Sequence, residues 1–295
     1  MSSLLLQALA LGVLQGGLYA LMATGLTLVF GVLRAVNFAH GEMAMLGAYG
    51  AFFAVATFGM PLPLAVLAAG LAGGLAGYLT NRLVLAPIYQ LRMDNRDEFV
   101  VIATFMLSQF LIAAATIGFG TRYRHVPGFW NQNLRLFGTI FLSGNRIAAF
   151  AAAMVAVAVL FVVVHRTDVG RAWRALTQSP LGAASVGIGV RRYADLAFAT
   201  AGALAGIAAT LMAPLVVLHP AIGTDAVVKA FVVVIVGGLG SIPGSLVAGL
   251  LLGVVESLGS VYVSSGYTEA YGCLLMIVVL LVRPSGLFGT VRRSL

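Results

Sequence analysis

Apolar residues in this chain gather into long runs with few polar interruptions, and the length of those runs is the first structural signal. They cover roughly 4–33, 42–58, 62–85, 99–119, 146–165, 193–217, 226–259 and 269–283. A helix that crosses a bilayer needs about 20 mainly apolar residues, so the pattern predicts an all-α integral membrane protein with about eight transmembrane helices. The run 226–259 is interrupted by Gly237-Gly238-Leu239-Gly240-Ser241-Ile242-Pro243-Gly244 and counts as two pieces. Its first piece is too short to cross alone as a straight helix, so a broken or re-entrant helix is expected there. The opening run is too long, and too poor in N-terminal positive charge, for a cleaved signal peptide, and is expected to stay as a span. Gly59-Met60-Pro61-Leu62-Pro63 marks a tight loop between the second and third spans. The whole of 1–295 reads as one transmembrane domain.

Two further interruptions carry information. Asn37-Phe38-Ala39-His40-Gly41-Glu42 is a polar hinge between apolar stretches. Non-helical backbone at membrane depth persists only where protein encloses it or where it lines a wet cavity, while an ordinary turn in which Asn37 or His40 caps the next helix is equally consistent with the residues. This hinge and the break at 237–244 are candidates for matching points in two halves of the chain, as in transporters built from repeats. The longest internal polar segment is 166–192. Within it Arg171, Arg174 and Gln178 are spaced three and four apart and share a helical face, Asp168 or Thr167 can cap that helix, and Pro180 ends its regular run. Positive-inside bias alone explains such arginines on a solvated loop. A short amphipathic helix with small residues at Gly170 and Ala175 is better explained as a docking surface.

Composition agrees with lipid as the main solvent: 61% of the residues are hydrophobic and 9% charged, against about 25% charged in soluble domains. The formal net charge of +8 raises nucleic acid as a partner, but the basic residues sit in short clusters between apolar runs, without a continuous basic face. Placing 166–192 in the cytoplasm puts Arg34, Arg82, Arg92, Arg96, Arg283, Arg292 and Arg293 on the same side. The opposite side keeps Arg122, Arg124, Arg135, Arg146 and Lys229. That bias predicts an outer N-terminus and a cytoplasmic C-terminus. Glycines spaced by four at Gly12/Gly16, Gly70/Gly74, Gly202/Gly206 and Gly249/Gly253 predict close helix contacts in lipid.

Chemistry-bearing residues are few. Cys273 is the single cysteine, so neither an internal disulfide nor a cysteine-built zinc site is expected, and His40 with Glu42 lacks further metal ligands. Glu256 and Lys229 lie inside apolar segments, where a charge costs a few kcal/mol at mid-bilayer; Lys229 is expected to snorkel to the interface. No chain of intramembrane carboxylates supports a self-contained secondary transporter. No nucleophile–base pair supports an enzyme, although His40, Glu42, Asp94 and His165 are available as acids or bases. The only lysine stands in Val228-Lys229-Ala230, not in the Gly-Lys-Ser/Thr of a phosphate-binding loop. Any ATP-driven motor is therefore expected on another chain.

Four stretches together resemble the permease family of branched-chain amino acid ABC importers, in particular its LivH-like subunit. They are Gly17-Leu18-Tyr19-Ala20-Leu21 with Gly25-Leu26; Gly31 through Glu42 with Gly47-Ala48-Tyr49; Gly170-Arg171-Ala172-Trp173-Arg174-Ala175 with Gln178 and Gly187-Ile188; and 237–244 with Arg283-Pro284-Ser285-Gly286-Leu287-Phe288-Gly289. The resemblance runs nearly end to end. It implies a type II-like ABC importer bundle in a bacterial cytoplasmic membrane, a second permease (LivM-like), two cytoplasmic ATPases that use ATP and Mg, and a periplasmic substrate-binding protein. No cofactor is implied for this chain itself. The resemblance also implies that Gly170, Arg171, Arg174, Ala175 and Gln178 form the coupling segment that meets the ATPase; Ser179-Pro180 departs from the usual pattern. Relatives of this class also move urea, short amides and other amino acids. A zwitterionic, apolar cargo suits an uncharged passage with glycine breaks, and the expected lining is Tyr19, Asn37, His40, Gly237 and Gly238.

Overall fold

The computed structural model describes residues 2–90, 95–128, 130, 132–136 and 140–289; Arg92, Asp94, Arg292 and Arg293 lie outside the described residues. The helices in chain order are α1 (Ser2–Leu33), α2 (His40–Phe58), α3 (Leu62–Leu79), α4 (Ala86–Gln90), α5 (Arg96–Phe119), α6 (Gly144–Arg166), α7 (Asp168–Gln178), α8 (Pro180–Ser185), α9 (Val190–Met212), α10 (Ile222–Gly237), α11 (Ile242–Tyr262) and α12 (Thr268–Val282). Among the described residues eight helical stretches are long and apolar enough to cross a membrane, and α3 through α4 counts as one of them. The segment α10 falls short: its 16 residues span about 24 Å, against a hydrocarbon core of about 30 Å.

The pattern-based boundaries hold to within a few residues except where local chemistry intervenes. The run expected to reach 217 stops at Met212, because Pro214 has no N–H to continue the ladder. The run expected to stop at 85 continues to Gln90 through a π-helical turn, Thr80–Leu85. That wider turn carries Asn81 and Arg82, whose side chains donate to Asp195 of α9 at 2.7 and 3.3 Å. Between α5 and α6 a short antiparallel pair forms, β1 (Asn133–Leu136) with β2 (Ile140–Ser143). One end of the bundle carries this hairpin. The other, arginine-rich end carries α7 and the break between α10 and α11, with Gly240 close to Gly31 near the end of α1.

The hinge does run at membrane depth. His40, the first residue of α2, places its ring Nε2 3.2 Å from the carbonyl oxygen of Met22, about three turns or roughly 16 Å above the end of α1. After Arg34, whose φ of 53° ends α1 in a left-handed residue, the backbone therefore climbs back into the bundle without helical bonds. It is enclosed by protein: Asn37 and Ala39 are fully buried, and the Asn37 side-chain oxygen accepts from Ala39 N–H. Phe38 N–H donates to Thr104 of α5. The α2 cap itself makes no side-chain bond, so Asn37 tightens a turn instead of capping the helix. At this depth Gly41 of α2 meets Gly223 of α10 backbone to backbone. The starts of the two helices thus converge inside the bundle, and the hinge faces the start of α10.

Glycine sets how closely the helices approach. The most extensive helix pair is α1 with α11, where a Cβ at Gly16 would lie 2.6 Å from the Gly249 carbonyl oxygen and one at Gly12 2.8 Å from that of Gly253. Three polar contacts join the same pair, Thr27 to Ser245 at 2.5 Å, Ser257 to the Ala8 carbonyl at 2.7 Å and Tyr19 to Glu256 at 2.8 Å. On α3 the contact register differs from expectation. Gly73 and Gly77 meet Gly202 and Phe198 of α9; of the expected pair, Gly74 also packs on α9, 3.2 Å from the Ala199 carbonyl oxygen, whereas Gly70 faces the tip of Ile207 at 3.4 Å. Spacing alone does not distinguish the two pairs, and contact geometry makes Gly73/Gly77 the tighter one.

After α12 the chain folds back onto the arginine-rich end. Leu287 N–H donates to the Val236 carbonyl at 2.8 Å and Phe288 N–H to that of Gly237 at 3.0 Å. These bonds occupy carbonyls that the end of α10 would otherwise leave free. Gly238, at φ 100°, lies against Gly289, and Gly286, at φ 79°, lies against Gly238. Side chains on these facing residues would separate the tail from the helix end.

Replacement of Gly73 by valine is expected to lower thermal stability in detergent by about 1–3 kcal/mol, through overpacking against α9. Gly118→Ala, at a position with open space around it, is expected to leave the melting temperature within error. Equal melting temperatures for the two would remove close approach as the basis of the α3–α9 contact.

Candidate functional site

A cavity of about 360 Å³ opens toward the hairpin end between α1, α2, α9 and α10. Its walls are mainly apolar, with Met22, Met45, Met212 and Val216 among them, and Tyr123 and His219 stand together in an edge-to-face pair, rings 5.8 Å apart. Its two charged groups, Asp225 and Lys229, come from the first turns of α10, with Tyr19 and Gln15 of α1 also in the lining. Asp225 is exposed.

Lys229 does not snorkel to an interface. Its ammonium lies 2.9 and 3.0 Å from the two carboxylate oxygens of Glu256 on α11 and donates to the Tyr19 hydroxyl at 3.0 Å. The Tyr19 hydroxyl in turn donates to Glu256 at 2.8 Å. The side chain of Glu256 is 6% exposed and that of Lys229 23%, so the carboxylate stands behind the ammonium and the ammonium faces the cavity. An isolated charge at this depth would cost several kcal/mol; each group offsets the desolvation of the other. One charge in each of two apolar segments was visible in the sequence, and opposite charges in spans commonly pair. That signal indicated the partnership even though the distance along the chain hid it.

Tyr19 is the one residue of the five expected on the pathway that lines this cavity. His40 is fully buried beneath it, held to Met22, and Asn37 is closed into the hinge. Gly237 and Gly238 lie at the opposite end of α10, packed on Gly244 and on the tail. Glu42, in the first turn of α2, is also fully buried, accepts from Ser108 of α5 at 2.9 Å and touches Gly223. Its carboxylate thus sits where the starts of α2 and α10 meet.

The second candidate region is the hook formed by α7 and α8. Thr167 caps α7 by accepting from Gly170 N–H at 3.2 Å, and Asp168 pairs with Arg171. The buried stripe Ala172, Trp173 and Leu176 anchors α7, and Trp173 Nε1 donates to the Tyr193 carbonyl at 2.9 Å. The five expected coupling residues divide by this geometry. Gly170 is wedged against the Val163 and Val164 carbonyls, where a side chain has no room. Arg174 donates to the Val164 carbonyl and so helps terminate α6, and Ala175 packs against the core. Arg171 and Gln178 point outward. Pro180 begins α8 immediately afterwards, with the Ser179 hydroxyl accepting from Gly182 N–H. Leu181 and Val186, which the charge pattern did not single out, are 86% and 76% exposed beside these polar groups.

Comparison with known proteins places this architecture. Residues 8–283 match the family model described as the permease component of the branched-chain amino acid transport system. The high-affinity branched-chain amino acid transport system permease protein BraD of Pseudomonas aeruginosa is 34% identical over 96% of this chain and 95% of its own length. The corresponding protein LivH of Escherichia coli is 32% identical over the same shares. The permease protein LivM of Escherichia coli is 27% identical over 94% of this chain and 69% of its own length. A lipid-embedded bundle with a glycine-packed core, an internal hinge and an exposed amphipathic hook is thus joined by similarity across nearly its whole length, and the chain belongs to the family of branched-chain amino acid transport system permeases.

Proposed function

We propose that this chain, as one transmembrane domain, is a permease subunit of an ATP-driven importer of branched-chain or other apolar amino acids. It works in a bacterial cytoplasmic membrane with its N-terminus outside and its C-terminus in the cytoplasm. Two ATPase subunits, which bind ATP and Mg, grip the α7–α8 hook from the cytoplasm. A second, LivM-like permease completes the passage, and a periplasmic binding protein delivers the cargo to the hairpin end. The observation that carries this reading is the hook itself: an amphipathic helix fixed to the bundle by Trp173 and Leu176, with Leu181 and Val186 exposed beside Arg171 and Gln178. Apolar side chains of that exposure next to charge fit a protein cover better than water or lipid.

Work enters such a bundle only if the partner binds its two shapes with different affinity. Gly170 and Arg174 tie α7 to the end of α6, so a force on the hook reaches a spanning helix directly. The cavity at the opposite end suits a small apolar cargo, since its wall is mostly hydrocarbon and its two charged groups lie one turn apart on α10. That asymmetry favours amino acids with apolar side chains over urea, which has no hydrocarbon to bury.

Arg171→Glu combined with Leu181→Asp is expected to reduce co-purifying ATPase at least about tenfold, equivalent to about 1.4 kcal/mol, without changing the melting temperature of the permease. An undiminished yield of the complex would count against docking at the hook. Gly238→Trp is expected to abolish uptake while membrane insertion, read by immunoblot of washed membranes, stays normal; full uptake would show that the contact between α10 and the tail can open without consequence. In cells, leucine, isoleucine and valine are expected to compete with one another for uptake, and excess urea or acetamide to leave leucine uptake unchanged. Inhibition by urea would move the cargo to the amide class.

A further inference from the structure

Lys229 is the only lysine of the chain, and it faces a mainly apolar cavity. Its charge is already balanced by Glu256 from behind. Asp225, one turn earlier on the same helix, lines the same cavity, is exposed, and has no ion pair among the described residues. Residues four apart on a helix have Cβ atoms about 5–6 Å apart, so an ammonium and a carboxylate are presented side by side. An α-amino acid carries the complementary pair on adjacent atoms.

We propose that this cavity is a binding site for a zwitterionic α-amino acid: Lys229 holds the carboxylate, Asp225 holds the ammonium, and Met22, Met45 and Met212 receive the apolar side chain. The proposal rests on the amino-acid importer reading and deepens it by naming the groups that select the cargo. The hydrogen bonds balance. Lys229 has three N–H donors, two directed at Glu256 and one at Tyr19. When a carboxylate arrives, Lys229 keeps one bond to Glu256 and turns another toward the ligand, while the Tyr19 hydroxyl continues to hold the Glu256 oxygen. With Lys229 and Glu256 neutral as a pair, Asp225 leaves the cavity negative. A lone carboxylate is repelled there, and an amide offers Lys229 only a neutral oxygen in place of a carboxylate. A zwitterion satisfies both groups without adding net charge. The volume of about 360 Å³ lies within the range of small-molecule sites.

The test uses the assembled importer in lipid nanodiscs without its binding protein, so that selectivity belongs to the membrane domain. Tritiated leucine is displaced by leucine, by leucinamide, which lacks the carboxylate, and by 4-methylpentanoate, which lacks the ammonium. Both analogues are expected to compete at least about tenfold more weakly, or about 1.4 kcal/mol. In Asp225→Asn, leucine and 4-methylpentanoate are expected to converge in affinity. In Lys229→Met with Glu256→Gln, a pairing that leaves no orphaned buried charge, leucine and leucinamide are expected to converge. Equal competition by all three compounds in the native importer, or an unchanged leucine-to-analogue ratio in Asp225→Asn, would overturn the site. Asp225 is exposed, so that variant decides the matter even if the double variant fails to assemble. Leucine uptake by cells carrying the native importer separates the two levels. Uptake with indifferent variants defeats the site alone, whereas no leucine uptake at all defeats the importer reading and the site together.

Discussion

Lipid offers no hydrogen bonds, and this constraint governs the interior of the bundle. Every stretch of non-helical backbone that enters the membrane must find its partners inside the protein. The segment between α1 and α2 does so by burying Asn37 and Ala39 and by bonding to its own side chains and to Thr104. Enclosure of that kind demands neighbours at very short range, and only glycine permits them. Gly41 against Gly223 closes the inner crossing, and the glycine stack between α1 and α11 brings Glu256 close enough to reach Tyr19 and Lys229. The cavity, the charge pair and the hinge are consequences of one economy in backbone spacing.

The charge pair illustrates how the interior tolerates polarity. Tyr19, Lys229 and Glu256 come from three different helices, and each satisfies the other two. A buried pair of this type adds little net stability, but losing one member leaves an uncompensated charge, a cost of about 3–5 kcal/mol. The arrangement therefore fixes the relative positions of α1, α10 and α11 more than it strengthens them. Asn81, Arg82 and Asp195 do the same for the π-helical turn and α9 near the arginine-rich end.

Much of this was legible in the sequence because hydrophobic run length is itself the physical requirement for a span. The break at 237–244, the hinge at 37–42 and the amphipathic α7 were all visible as departures from that rule. What escaped was whatever depends on contact between distant segments. Lys229 read as an interfacial residue because its partner lies on another helix; Gly73 and Gly77 were hidden behind an equally regular Gly70/Gly74 pair. The early stop of α9 was a local signal, since Pro214 was in plain view within an apolar run. Leu181 and Val186 were unremarkable as letters. Their significance lies in exposure, which no pattern of residue types reports.

The clasp between the tail and the end of α10 has a mechanical consequence. A helix of 16 residues held at its foot by Leu287 and Phe288, and carrying Asp225 and Lys229 near its head, is a stiff lever with its fulcrum where Gly41 touches Gly223. Asp225 and Lys229 lie on the foot side of that pivot, so a tilt at the foot moves them in the same sense and by less, without unwinding a single turn. The distance between the two charged side chains and the methionines across from them is thus geared to events at the other face of the membrane.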